Sequence, residues 1–223
     1  LSLLAIKTIN WKIQNNNKHH SFTNIYGHDP DISTKAVIRL SDHAPIKKYQ
    51  RFQQYYAFPL YGLMTILKFF GEIGSFLGYN RKGLIKRMNA NPSLELVKLI
   101  LTKIIYLFII IGLPLLLTYF SIWQILIGFM VMHLVAGIIM STVFQMAHVV
   151  QGVYQPLPDD GIIPSERLVH QLRATSDFGK KSGLLSWYIG GLDFQVEHHL
   201  FPIICHVHYA SIAPIVERTA REV

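Results

Sequence analysis

The chain has 223 residues, of which 51% are hydrophobic, with a formal net charge of +8, eleven histidines and one cysteine. An apolar fraction this high with a positive average hydropathy places it among membrane proteins. The single cysteine, Cys205, excludes an internal disulfide framework, and a basic excess spread over loops beside apolar runs marks the cytoplasmic side of a membrane rather than a nucleic-acid partner.

In chain order, Leu1 to Ile6 is apolar but has neither a Met nor a charged leader, so it is not a signal peptide and the chain reads as cut. Next comes WKIQNNNKHHSFTNI, Trp11 to Ile25, with the adjacent pair His19 and His20. On a helix Asn15 and His19 superpose as i and i+4, and His20 lies about 100° further round, so the two histidines are able to serve different metal ions. Tyr55 to Phe70 is apolar but short, interrupted by Pro59 and Lys68, and is expected to lie at the interface.

Ile104 to Phe120 and Ile122 to Val150 then predict a transmembrane hairpin, separated by Ser121, with Pro114 as a possible kink. Lys98 and Lys103 precede it and Arg167 and Arg173 follow it, while its turn carries no Lys or Arg. Both outer ends are therefore expected in the cytoplasm. The C-terminal end of the second span, FQMAHVVQG, carries His148 to the water boundary. Gln151 to Glu166, rich in Pro and Gly, predicts a polar loop.

Near the C-terminus, GGLDFQVEHHLFP places Gln195, His198 and His199 at i, i+3 and i+4, on one face of a helix. Two histidine doublets and a helix-end histidine point to a metal site, although neutral imidazole suits iron, zinc, copper and nickel alike. An aqueous-side cluster on an apolar bundle is what oxidation of a long acyl chain requires. His133 lies mid-span, fifteen residues from His148, or roughly 22 Å along a helix, too far to share its metal. A bond to a neighbouring helix is the expectation for it. Cys205, His206 and His208 imitate a soft-metal site but lack a fourth ligand. Asp29, Asp31 and Asp193 flank the histidines and are candidates to accept a hydrogen bond from them. His28, His43 and His170 are expected to be solvated.

GGLDFQVEHHLFP resembles the third histidine box of membrane fatty-acid desaturases, in the branch with Gln first. Trp11 to Ile25 resembles the second box, and FQMAHVVQ the helix-end histidine segment. The chain is especially similar to bacterial acyl-CoA desaturases related to the front-end enzymes, through GHDPDI at Gly27 to Ile32 and CHVHY at Cys205 to Tyr209. The resemblance implies an all-α integral-membrane protein whose cytoplasmic helical cap carries a di-iron site. It implies one domain over residues 1–223: 1–103 with the second box, 104–150 the hairpin, 151–223 the cap with the third box. His19, His20, His148, Gln195, His198 and His199 would be the metal ligands, holding two iron ions that use O2 to place a cis double bond in a long acyl chain. That chain would be carried as acyl-CoA or linked to lipid.

No haem-binding domain, dinucleotide fingerprint or cysteine cluster occurs in the sequence, which implies an external donor such as a ferredoxin or b-type cytochrome. The metal site would face the cytoplasm from a bacterial inner membrane. Two departures accompany the resemblance. The first histidine box is missing, so the chain as given is expected not to desaturate, and Asn15 stands where the second box has His. The alternatives are an acyl-chain hydroxylase on the same scaffold and a degenerate, non-catalytic membrane protein.

Overall fold

The computed structural model describes residues 8–32, 37–158, 160, 163 and 165–222; Leu1 to Ile6 lie outside them. Among these residues the regular structure is entirely helical. The helices are α1 (Thr8–Gln14), α2 (Gln53–Gly62), α3 (Met64–Arg81), α4 (Leu84–Arg87), α5 (Pro92–Leu107), α6 (Leu113–Leu117) and α7 (Ile122–His148). The remainder are α8 (Arg167–Ala174), α9 (Gly183–Ile189), α10 (Gln195–Leu200) and α11 (Tyr209–Ala220). They group into two compact units, Leu1–Asn17 with Tyr55–Ser141, and Lys18–Gln54 with Thr142–Val223.

In the first unit, α5 and α6 join through a π-helical turn, Phe108–Gly112, into one 26-residue helix, Pro92–Leu117. With the 27-residue α7 this gives two helices long and apolar enough to cross a membrane. The first begins twelve residues before the apolar run, because Asn91 caps it. The Asn91 side chain accepts from the amides of Ser93 and Leu94, and Pro92 fills the first turn, where its missing N–H costs nothing.

Lys103 therefore lies inside this helix rather than flanking it. It is buried, paired with Glu72 at 3.0 Å, donates to the Phe69 carbonyl at 2.6 Å and sits over the Phe69 ring. Leu116, Leu117, Trp123 and Ile127 point outward, as expected of surface that faces lipid. The 3-10 and α segments Lys48–Gly62 and Met64–Arg81 qualify as a span only together and are bent by 65°.

Close approach holds α2 against α7. A Cβ added to Gly137 would overlap the carbonyl of Gly62, so no other residue fits there without moving a helix. His133 meets its expectation. Its Nε2 lies 2.9 Å from the Tyr106 hydroxyl and its Nδ1 3.0 Å from Thr65, so the buried ring is held within the bundle. Ile9, Ile13, Phe76, Ile85 and Leu99 make the apolar core of this unit.

The second unit is built around the C-terminal end of α7. The described part of Gln151 to Glu166 carries no helix or strand, as expected; Gly161 and Pro164 lie outside the described residues. Ser182 caps α9, and Gly190 and Gly191, at φ 66° and 73°, turn the chain into α10. A side chain at Gly191 would also press on His206, 2.9 Å from its Cβ. Phe194, Tyr209 and Ala213 pack α10 against α11.

Candidate metal centre

All six residues named as ligands fall in the second unit, and its folding brings the five histidines together. His19, His20, His148 and His199 are buried and His198 is half-buried. The His20 and His199 rings stack at 4.2 Å, the His19 ring lies 4.6 Å from His148 and 5.0 Å from His199, and the His198 ring lies 4.8 Å from His20. One ligand atom each from His19, His148 and His199 lies within 4.8 Å of the others.

The nearest approach is between His19 Nε2 and His148 Nε2, 3.2 Å apart. Two lone pairs at that distance repel unless a cation or a proton sits between them. Metal–imidazole bonds of about 2.0–2.1 Å, at right-angled to tetrahedral openings, place neighbouring ligand atoms roughly 2.9–3.4 Å apart. The spacing fits one shared ion.

His19 is oriented from behind. Its Nδ1 stands 3.1 Å from each oxygen of Asp29, which is fully buried, and 3.4 Å from Asp31. A carboxylate only accepts, so Nδ1 carries a proton, and in the neutral ring Nε2 is the atom left to ligate. The Asp29 oxygens are fixed in turn by the amides of Asn24, at 2.8 Å, and Asp31, at 2.9 Å. The third member of the expected carboxylate set, Asp193, is fully buried, and neither of its oxygens has a hydrogen-bond partner among the described residues.

On α10, Gln195, His198 and His199 share a face, and Asp177 anchors the first turn by accepting from the Val196 amide at 2.9 Å. The Tyr209 hydroxyl lies 3.3 Å from His198 Nδ1. Gln195 is buried, and its Oε1 has no hydrogen-bond partner among the described residues.

Burial lowers the His20 pKa to about 3, helped by His198, His19 and Arg167; burial and then His19 lower that of His198 to about 4. His199 is depressed well below the ordinary value, by burial first and then by His148, His19, His20 and His198. These three rings are thus held neutral, in the form that ligates metals.

Three residues that sequence reasoning did not single out hold this arrangement. Asn24, in the left-handed region at φ 58°, donates to the carbonyls of His148 (2.8 Å) and Ala174 (2.9 Å), so it caps the C-terminal ends of α7 and α8 at once. Gln171 on α8 lies against His20, Thr23 and His199. Thr23 bonds back to the His19 carbonyl at 2.8 Å.

Of the remaining expectations, those for His170 and Asn15 change and that for His43 holds. His170 is buried rather than solvated, with its Nε2 2.9 Å from the Thr23 carbonyl. His43 is exposed, with its ring 2.7 Å from the Gln155 carbonyl. Asn15–His19 is a π-helical turn with i to i+5 bonding, so α-helical superposition of Asn15 on His19 does not apply. Asn15 belongs to the first unit and its amide donates to Asn16. Cys205 is exposed.

A family model described as fatty acid desaturase matches residues 2–223. The chain is 34% identical over 221 residues to the sn-1 linoleoyl-lipid 6-desaturase of Synechocystis sp., covering 98% of this chain and 61% of that protein. It is 35% identical over 226 residues to an acyl-lipid (8-3)-desaturase of Physcomitrium patens, covering 100% of this chain and 46% of that protein. A further sn-1 linoleoyl-lipid 6-desaturase, from Arthrospira platensis, is 28% identical, with 98% and 59% covered. The chain therefore spans about half to three-fifths of the length of these relatives. No solved structure matches it.

Proposed function

Because the chain belongs to the fatty acid desaturase family, we propose that it carries the catalytic metal ligands of an O2-dependent enzyme that introduces a cis double bond into a long acyl chain. The observation that carries this reading is the buried convergence of imidazole nitrogens, centred on the 3.2 Å approach of His19 Nε2 and His148 Nε2. His19, His148 and His199 would hold one iron, and His20 and His198, with Gln195, the other. Bound there with O2, two iron ions supply the oxidising power to remove two hydrogens from adjacent methylenes.

The protein's own part is positional. Asp29 keeps a proton on His19 Nδ1, burial keeps His20, His198 and His199 neutral, and the apolar spans would hold an acyl chain out of water. A lipid-linked acyl group is the favoured substrate, because the relatives are named as acyting on acyl-lipid or linoleoyl-lipid chains. Electrons would reach the site from a separate ferredoxin or b-type cytochrome, and the site would face the cytoplasm.

The test is expression in a host that supplies reductant and O2, with its membrane lipids profiled by gas chromatography–mass spectrometry and iron in the purified protein measured by plasma emission. In a form extended to include a first histidine box, iron together with a new cis double bond, both lost in His19→Ala and His148→Ala, is the expected result; the 223-residue chain alone is expected to give no double bond. A hydroxylated product would move the assignment to a hydroxylase. Absence of iron from the purified, folded protein would leave a non-catalytic membrane protein.

A further inference from the structure

The Gln171 side chain is 2% exposed, deep among the histidines. One of its two terminal atoms stands 3.1 Å from the His20 main-chain carbonyl, which only accepts, so that atom is the amide nitrogen. The other is then the oxygen. It lies 3.0 Å from His199 Nδ1 and 3.0 Å from the Thr23 hydroxyl. An amide oxygen has no proton to give, so His199 Nδ1 must donate to it. The alternative, a bare Nδ1, would face two lone pairs at 3.0 Å. The Thr23 oxygen, 3.3 Å from the same nitrogen, tolerates either role. With the proton fixed on Nδ1 of a neutral ring, Nε2 is the bare atom, and His199 Nε2 is buried with no hydrogen-bond partner among the described residues.

We infer that Gln171 is a positioning residue that locks His199 in the Nδ1-protonated tautomer, with Nε2 open towards the metal, while tying the backbone of the second histidine box to the ring of the third. The inference rests on the metal-site reading for its purpose, though the tautomer itself does not depend on metal. Gln171 does for His199 what Asp29 does for His19, with an amide in place of a carboxylate. The difference has chemical content: a carboxylate accepts only, whereas the amide accepts from one box and donates to the other. A carboxylate at 171 would also add a negative charge beside the ring. The single Thr23 hydroxyl proton faces two acceptors of this network, the His19 carbonyl at 2.8 Å and the same Gln171 oxygen at 3.0 Å.

The tautomer is read directly by histidine-selective 15N NMR of the metal-free protein in detergent, with His199 assigned by its loss in His199→Ala. Wild type is expected to show Nδ1 protonated, and Gln171→Leu to move His199 towards the Nε2-protonated form. Gln171→Glu, which keeps the acceptor and loses the donor, is expected to restore Nδ1 protonation. In a parallel cobalt(II) titration followed by visible absorption, Gln171→Leu should weaken binding about ten- to a hundredfold, with helical circular dichroism retained and Gln171→Glu closer to wild type. Nε2 protonation of His199 in the wild type overturns the inference, and so does a tautomer that Gln171→Leu leaves unchanged. Correct tautomers in a wild type that binds no cobalt would instead overturn the metal reading and leave the lock standing.

Discussion

Asp29 reaches His19 with both oxygens and has each oxygen fixed by a backbone amide. Replacing it by Asn substitutes an NH2 for one acceptor, and that NH2 must then face either an amide N–H or the protonated Nδ1. The expected outcome for Asp29→Asn is a fall in iron(II) or cobalt(II) affinity of about ten- to a hundredfold, read by competition with a chelator. Unchanged affinity would mean that His19 is oriented by something else. Asn24→Ala removes two donors from buried helix-end carbonyls and places a β-carbon in the left-handed region. A loss of roughly 2–4 kcal/mol in unfolding free energy is expected from the two stranded carbonyls, measured by denaturant titration, with Asn24→Gly relieving only the backbone part. At this scale the histidines are legible in the sequence, because doublets and i, i+3, i+4 spacing are local patterns. Gln171, Thr23 and Asn24 are not, since each is a lone polar residue whose burial is decided by partners up to 176 residues away.

Among the elements, the helix of the first span shows what a hydropathy reading misses. Lys98 and Lys103 interrupt the apolar run, so the run alone starts the span at Ile104, while the Asn91–Pro92 cap starts the helix twelve residues earlier. The cap was there to be read. The pairing that lets Lys103 be buried was not, since Glu72 lies on α3 and nothing local marks it as the partner. Removing one member of a buried pair strands the other, so Lys103→Met is expected to destabilise by about 3–5 kcal/mol. Lys103→Met combined with Glu72→Gln should recover a large part of that loss in thermal unfolding. Equal losses in the single and double variants would mean the pair contributes only packing. The two π-helical turns, Asn15–His19 and Phe108–Gly112, also escaped sequence reading. One extra residue in a turn leaves the apolar periodicity on either side intact.

For the molecule as a whole, composition is enough to give the all-helical membrane class, and two helices of spanning length follow from the apolar runs. In the proposed arrangement the two spans return the chain to the face it left, which the positive-inside rule takes as the cytoplasm. A cysteine introduced at Ser121, in Cys205→Ser background, is expected to react with an impermeant maleimide in intact cells. One introduced at Arg167 should react only after the membrane is opened. The reverse pattern would put the histidines on the outer face and remove any cytoplasmic electron donor from reach. The grouping of Lys18–Gln54 with Thr142–Val223 lay beyond the sequence. It depends on contacts between segments more than a hundred residues apart, which no local pattern encodes.

Those separations also impose an order in time. Thr23 and His199 are in contact at a separation of 176 residues, and His19 and His148 at 129. At about 5–20 residues per second of synthesis, roughly 9–35 s pass between the emergence of Thr23 and that of His199. His19 waits 129 residues of that interval for His148, and His20 waits for His198 and His199 through nearly all of it. Asn24, Asp29 and Asp31 flank them on the same early segment, so Asp29 is available to hold His19 before α7 ends, and Thr23, His148 and Gln171 are all made before the His199 they contact. Assembly of the cluster is therefore a late event, completed by α10 docking onto Gln171 after the spans have been inserted. A ribosome that stalls between residues 175 and 195 would leave a chain that has His19, His20 and His148 while His198 and His199 do not yet exist.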